Sequence, residues 1–362
     1  MRPFPLRYNQ RFCMSGILSQ ERIAASHGRV GSYRGAESPA DFGNTAAEFE
    51  ALQHGAAVFD LSWQAKLQIS GKDRTRWLNG MITNNIRDLS EGRGVYAFIL
   101  TPQGRNQGDL VAYNRGEYLV ATTDREQVEK IRTVLQRYII MDKVEIEDVS
   151  DKLVSVGVAG PKAADALSQA GIDVSHLEAG QVLDTVWRDV GISVAHNTHP
   201  QMDGYELWLA PAYVEKLWDA LVQTGAKSVG SDALESYRIA RGVPRYGLDL
   251  RERDLPQETG QEHALNFSKG CYIGQEIVER IRARGNVHRT LIGFEVQGEP
   301  PQPGTKIRAN DKDVGEITSA TRVPGSERTI ALGYLRLEVG GAGTAVQAGE
   351  QNATVASLPF QF

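Results

Sequence analysis

The spacing of apolar and polar residues divides most of the chain into short strands and helices. Residues 46–55 read as a helix leading into Val58-Phe59-Asp60-Leu61-Ser62. Lys66-Leu67-Gln68-Ile69-Ser70 alternates as a strand with Leu67 and Ile69 on one face, and Gly71 turns the chain into a helix over 73–78. Apolar runs at 95–100, 109–113 and 118–121 are split by Thr101-Pro102-Gln103-Gly104 and Asn114-Arg115-Gly116-Glu117, which predicts an antiparallel meander. Val128, Ile131, Leu135 and Tyr138 then recur at helical spacing, with Asp124 and Gln127 as a capping pair.

Strands follow near 144–149 and 153–158, and a helix starts at Pro161 and closes at Gly171. Further strands near 182–187 and 205–209 precede a helix over 211–223. Asp232 with Glu235 opens another, stopped by Gly242 and Pro244. After Arg289 the texture changes to strands at 291–296, 306–309, 314–320 and 330–335, split by Pro and Gly. That pattern predicts a small β-barrel-like module. Residues up to about 40 carry Gly, Ser and Arg without a sustained period and read as a loose arm. The hairpins argue against a purely parallel sheet, so the expected class is α+β with an all-β C-terminal module.

At 362 residues the chain can bury a large core divided among two or three domains. A net charge of −5 and a pI near 5.9 give no overall attraction for nucleic acid or an anionic membrane. No apolar run is long enough to cross a bilayer. Arg2, Arg7 and Arg11 lie near the N-terminus without the apolar core of a secretory signal, and Met14 is an alternative start. The expectation is a cytoplasmic protein with an untidy N-terminal arm. Two cysteines, Cys13 and Cys271, offer no disulfide framework, no four-ligand zinc site and no four-thiolate iron–sulfur cluster.

Several motifs are missing. Gly157-Val158-Ala159-Gly160-Pro161-Lys162 lacks the spacing and terminal hydroxyl of a phosphate loop. Neither a dinucleotide-binding glycine pattern nor a serine elbow occurs. His196 and His199 have no third ligand nearby and read as a solvated loop pair.

Lys269-Gly270-Cys271-Tyr272-Ile273-Gly274-Gln275-Glu276 carries more chemistry. It precedes a helix in which Ile277, Val278 and Ile281 share a stripe, Arg282 and Arg284 fill the last turn, and Gly285 supplies the stop. Two readings of Cys271 stand. Lys269 and the helix N-terminus would favour a thiolate, whereas a lone cysteine between apolar residues is ordinarily a small buried hydrophobe. Arg280, Arg282, Arg284 and Arg289 complement a helix C-terminus rather than form a nucleic-acid stripe.

That octapeptide resembles the motif of the YgfZ-type folate-binding proteins, which include the mitochondrial iron–sulfur assembly factor. They are related to the glycine-cleavage T-protein, an aminomethyltransferase. The similarity extends to Val58-Phe59-Asp60-Leu61-Ser62, to Trp77-Leu78-Asn79-Gly80-Met81-Ile82-Thr83-Asn84-Asn85-Ile86 and to Gly92-Arg93-Gly94-Val95-Tyr96. Gly204-Tyr205-Glu206-Leu207 and Tyr237-Arg238-Ile239-Ala240-Arg241-Gly242 match later blocks.

The resemblance implies a three-lobed cloverleaf around a channel that takes tetrahydrofolate. The divisions expected are an arm at 1–45, a first folate-binding lobe at 46–150 and a second lobe at 151–230. A helical segment at 231–288 returns the Lys-Gly-Cys motif to the first lobe, and a barrel occupies 289–362. Glu206 would face the pterin, where a carboxylate accepts two N–H donors; alternation alone makes it an exposed strand glutamate. Arg238 would pair with the folate's anionic tail; its alternative is a helix-surface arginine pairing with Glu235.

Aminomethyltransferases carry an aspartate pair in the second meander strand, and the resemblance gives the first of them a catalytic part. Here Gly108 takes its place, and Asp109 matches the second and joins Glu206 and Arg238 as cofactor-binding. Glycine brings no carboxylate, which argues against aminomethyl transfer. The reading is therefore a tetrahydrofolate-binding protein that assists assembly or repair of iron–sulfur clusters in client enzymes. Cys271 would be its functional thiol, Lys269 the thiol's support, and client or assembly proteins its partners. The alternative is a folate-dependent aminomethyltransferase or demethylase acting on a small amine. A scaffold with a vestigial pocket would bind no folate.

Overall fold

The computed structural model describes residues 17–285 and 287–362. The described part of the stretch expected as a loose arm holds a helix and a hairpin. Helix α1 (Gln20–Ala25) precedes a hairpin of β1 (Arg29–Tyr33) and β2 (Ala36–Asp41). Arg34 and Gly35 turn it at φ of 47° and 85°, the left-handed pair whose twist suits a two-residue hairpin. Composition concealed the hairpin because β1 is mostly exposed and β2 alone is buried along most of its length. Cys13 and Met14 lie outside the described residues.

Next come α2 (Thr45–His54), β3 (Ala57–Asp60), β4 (Gln64–Ser70) and α3 (Arg74–Met81). The expected meander is β5 (Arg93–Leu100), β6 (Asn106–Asn114) and β7 (Leu119–Asp124), followed by α4 (Arg125–Gln136) and β8 (Glu145–Asp148). The Asp124–Gln127 capping pair does not form. Asp124 makes no side-chain cap bond, and Gln127 bonds Asp109 instead. The chain continues through β9 (Val154–Ala159), α5 (Ala163–Gln169), β10 (Val182–Trp187), β11 (Val190–His196) and β12 (Gly204–Leu209). Strand β11 was missed, although Val190, Ile192 and Val194 alternate in it.

Helix α6 (Val214–Gln223), β13 (Lys227–Val229) and α7 (Ser231–Ala240) follow. Helix α7 begins after Gly230 without a side-chain cap. Beyond α8 (Gln275–Arg284) come β14 (Arg289–Val296), β15 (Lys306–Ala309), β16 (Lys312–Arg322), β17 (Thr329–Arg336), β18 (Ala345–Ala348) and β19 (Gln351–Ala356).

Three bodies result, and the class is α+β with a C-terminal barrel. Strands β5-β6-β7-β4-β8 form an antiparallel sheet whose apolar face carries Leu67, Ile69 and Leu110 against α3 and α4 through Trp77, Leu78, Ile131 and Leu135. Strands β10-β11-β12-β9-β3-β13 form a second sheet, packed by Val156, Val158 and Leu207 against α5 and α6 through Leu167, Leu217 and Trp218. Its β3–β13 pair is parallel. Strand β3 precedes the first sheet in sequence yet lies in the second, so the chain crosses between them. Strands β14-β17-β16-β15-β18-β19 close a barrel. Helix α7 joins all this: Tyr237 and Ile239 pack with Phe59 of β3 and with Leu291, Ile330 and Tyr334 of the barrel. Among the described residues no helix is long and apolar enough to cross a membrane.

Candidate functional site

Side chains alternate across a strand, so each sheet has a second face opposite its helices. In the first sheet that face carries Gln64, Lys66, Asp109 and Tyr113; in the second it carries Ser155, Glu206 and Trp208. The two faces meet. Tyr113 and Trp208 are edge to face with ring centres 5.1 Å apart. Gln64 Nε2 donates to Glu206 Oε1 at 2.9 Å, and Lys66 Nζ donates to Ser155 Oγ at 2.5 Å. A polar seam thus runs between two apolar cores.

Glu206 sits half-buried in this seam. Gln64 bonds one carboxylate oxygen, and Trp208 Nε1 donates to the other at 3.0 Å. Each oxygen keeps a further lone pair, so the carboxylate can still accept two N–H donors from a planar ring. This pair of acceptors is complementary to the N–H donors on the aminopyrimidine edge of a pterin.

Asp109 occupies the same face of the first sheet. Phe98 is its partner across the β5–β6 ladder. Tyr96 Oη donates to Asp109 Oδ2 at 2.7 Å and Gln127 Nε2 to Oδ1 at 2.9 Å. Burial raises the Asp109 pKa against the opposing pull of those two hydrogen bonds. Gly108 points the other way. A Cβ built there would stand 3.1 Å from Ile131 Cδ1 and 3.2 Å from Gln127 Oε1, inside the helix-packed side. Position 108, where the resemblance puts the family's first aspartate, is thus turned toward α4, and Asp109 lies on the opposite face of β6.

Charged and aromatic groups extend the site beyond Asp109. Asp124, pushed up to about 6 by burial, accepts from Arg34 Nη1 at 3.4 Å. Arg34 comes from the tip of the N-terminal hairpin and lies over the Trp63 ring at 4.5 Å. On the opposite side Tyr96 stacks on His263 at 5.4 Å, and His263 meets His199 edge to face at 4.9 Å. His199 Nδ1 accepts the Gln201 N–H at 3.2 Å, which assigns the proton to Nε2, 2.8 Å from Gln261 Oε1. Burial lowers this ring to about 4, so it is neutral at physiological pH. His199 is thus not the solvated residue expected. His196 contacts Leu177 O and Asp203, both at 2.9 Å. Among the described residues no cluster of His, Cys, Asp and Glu is suited to a metal.

Arg238 does not join the seam. It is 2 % exposed, with Nε on Glu235 at 3.0 Å, Nη1 on Asp249 and Val243 O at 2.7 Å each, and Nη2 on Glu235 and on Ser319 Oγ at 3.0 Å. Its donors are filled by protein groups that tie α7 to the barrel. That is the Glu235 pairing, extended inward, and it leaves the folate-tail role without a free N–H.

Lys269 is also committed. Its ammonium is 1 % exposed and donates to Asn79 O at 2.5 Å, Ile82 O at 2.6 Å and Asn84 O at 2.7 Å. These carbonyls belong to the end of α3 and the turn after it, so the expected support of a Cys271 thiolate is replaced by a helix C-cap. Tyr272 packs with Phe98, Leu100 and Val278. Gly274 has φ of 83°, and a Cβ there would meet Thr101 O at 2.6 Å. Cys271 itself is free and exposed. The buried-hydrophobe reading of that thiol is excluded.

Sequence reasoning missed Gln64, Lys66, Tyr96, Arg34 and Asp124. Gln64, Lys66 and Gln68 alternate against Ala65, Leu67 and Ile69, which reads as a solvent face. The missing information was the second sheet that covers it.

Two sheets meeting at a polar seam, with a barrel docked through a connecting helix, define a three-lobed cloverleaf fold. Residues 19–269 match the family model described as the GCVT N-terminal domain. Residues 289–361 match the glycine cleavage T-protein C-terminal barrel domain. The chain belongs to the glycine-cleavage T-protein family. An aminomethyltransferase of Rubrobacter xylanophilus is 30% identical over 354 residues, covering 95% of each chain. A putative chloroplastic transferase of Arabidopsis thaliana is 28% identical over 94% of this chain and 78% of its own. The crystal structure of the glycine cleavage system aminomethyltransferase T from Bartonella henselae superposes with a TM-score of 0.84 at 20% identity, covering 94% of this chain and 96% of that one.

Proposed function

We propose that this protein binds tetrahydrofolate in the inter-sheet seam and transfers a one-carbon unit between it and a small amine. The observation that carries the reading is a carboxylate on the polar face of each sheet. Glu206 keeps an acceptor site on each oxygen, and Asp109 is held by Tyr96 and Gln127 with its pKa raised by burial. Glu206 would read the pterin N–H edge. Asp109 would hold or accept a proton beside the reacting nitrogen, a task for which a raised carboxyl is suited. Tetrahydrofolate, when bound, supplies the nitrogen that carries the one-carbon unit. The 30% identity to an aminomethyltransferase along 95% of both chains supports this assignment. Calorimetric titration with tetrahydrofolate, wild type against Glu206→Ala, tests binding; no binding to either protein would sink the proposal. Purified protein should form methylene-tetrahydrofolate from an aminomethylated donor with release of ammonia, the aminomethyl carbon already being at the methylene oxidation level, and Asp109→Asn should abolish it.

One observation favours a second reading, membership of the YgfZ-type branch with a role in maintaining iron–sulfur clusters of client enzymes. In the octapeptide, Lys269, Tyr272 and Gly274 have packing or capping roles, whereas Cys271 is exposed with none. A reduced cytoplasmic setting would keep that thiol free to contact a partner's cluster. Full activity of client iron–sulfur enzymes in cells carrying Cys271→Ala would count against it.

A further inference from the structure

Lys66 takes no part in the chemistry above, yet it is 0 % exposed. Its ammonium has no carboxylate within bonding distance among the described residues. It donates to Gln64 Oε1 at 3.1 Å and Ser155 Oγ at 2.5 Å, and lies 5.5 Å from the Trp208 ring centre. Burying an ammonium without an ion-pair partner is costly, and an apolar side chain would fill the same space more cheaply.

The surrounding bonds have one consistent sense. Ser155 Oγ donates to Gln64 Oε1 at 2.9 Å, so that oxygen accepts from both Ser155 and Lys66. The Gln64 amide is thereby fixed with Nε2 toward Glu206 Oε1. Reversing it would place a carbonyl against a carboxylate and an NH2 against an ammonium. Trp208 Nε1 holds the other carboxylate oxygen. The charged groups acting on Lys66 are Glu206 from β12 and Arg125 from the start of α4; β9 contributes the Ser155 hydroxyl, and Ser150 Oγ accepts the Lys66 backbone N–H at 2.9 Å.

We propose that Lys66 is a positioning residue for Glu206: through the Gln64 amide it fixes the carboxylate edge that pairs with the N–H donors of an aminopyrimidine ring. This rests on the folate reading of Glu206 and adds that recognition depends on a lysine that does not touch the ligand. Burial lowers Lys66 to about 7, and a charged donor holds the amide more firmly than a neutral one. Affinity for tetrahydrofolate therefore falls as pH rises through that value.

Anaerobic calorimetry of the full chain with tetrahydrofolate at about pH 6 and about pH 8 tests this. Lys66→Met is expected to bind about tenfold or more weakly, with the pH dependence gone and thermal stability no lower than wild type. Gln64→Leu, with Lys66 intact, should show the same loss. Wild-type affinity and pH profile in Lys66→Met would overturn the proposal. Should that variant not fold, unchanged binding by Gln64→Leu overturns it equally. A Glu206→Ala variant separates the two layers. Loss of binding there with no effect of Lys66→Met sinks this inference alone. Undiminished binding by Glu206→Ala sinks the folate reading of Glu206 and the inference with it.

Discussion

Replacing Lys269 by methionine tests whether the lysine of the Lys-Gly-Cys motif is a structural cap. The side chain keeps its length and loses every donor. In the native protein those donors meet the carbonyls of Asn79, Ile82 and Asn84 at 2.5, 2.6 and 2.7 Å, where the end of α3 leaves acceptors without helical partners and presents the negative end of its dipole. Hydrogen bonds from a charged donor contribute about 1.5–3 kcal/mol each, so three contribute roughly 5–9 kcal/mol in gross terms. Burial of the ammonium, which lowers Lys269 to about 7, offsets several kcal/mol of that. The net loss is about 2–4 kcal/mol, and the melting temperature should fall by roughly 3–5 °C. Circular-dichroism melts measure it, with hydrogen exchange reporting local opening of residues 74–84. Cys271→Ser is the control, expected within about 0.5 kcal/mol of wild type because the thiol is exposed. A melting temperature for Lys269→Met within about 1 °C of wild type would refute the argument.

Three other outcomes are expected. Lys66 and Lys269 both titrate near 7 in the fold instead of their ordinary 10.5, so above about pH 7 the unfolded chain binds protons the folded one lacks and stability rises with pH toward 10.5. Urea denaturation across that window should show the slope in wild type and lose it in a Lys66→Met/Lys269→Met double variant. Gly274→Ala forces a Cβ to 2.6 Å from Thr101 O at φ of 83°, and should cost about 1–3 kcal/mol in a thermal melt. Gly108→Asp places a carboxylate toward Ile131 on the helix-packed side; it should destabilise by about 2–4 kcal/mol and leave one-carbon transfer no faster, measured as methylene-tetrahydrofolate formed.

Local periodicity made most elements legible, because Leu67 and Ile69 alternate with polar residues along β4 and Val128, Ile131 and Leu135 recur at helical spacing along α4. Strand β11 and the N-terminal hairpin were less visible. Gly191 and Ser193 dilute the alternation of β11, and the hairpin's burial lies in β2 while β1 is largely exposed. Pairing was harder still. Nothing local says that β3 joins β9 and β13 in the second sheet, because register between distant segments is decided by long-range packing. The same limit hid the site. Gln64 and Lys66 on one strand and Glu206 on another are 142 residues apart for the Gln64–Glu206 bond, and each alone has the pattern of a solvated strand face.

The octapeptide illustrates why a specific motif and a reactive group need not coincide. Lys269 is required by α3, Gly274 by the close approach of the Thr101 carbonyl, and Tyr272 by the cluster around Phe98. These demands alone account for much of the motif with no reference to chemistry. Cys271 is exposed and has no packing role among these, while Lys269, expected to activate it, points into the first lobe. The strand face decides the rest of the site in the same way. Gly108 and Asp109 are neighbours in sequence, but alternation sends one toward Ile131 and the other toward Tyr96. A side chain at 108 would meet Ile131, whereas the carboxylate at 109 meets Tyr96 and Gln127, and the proposed transfer chemistry is assigned to that group.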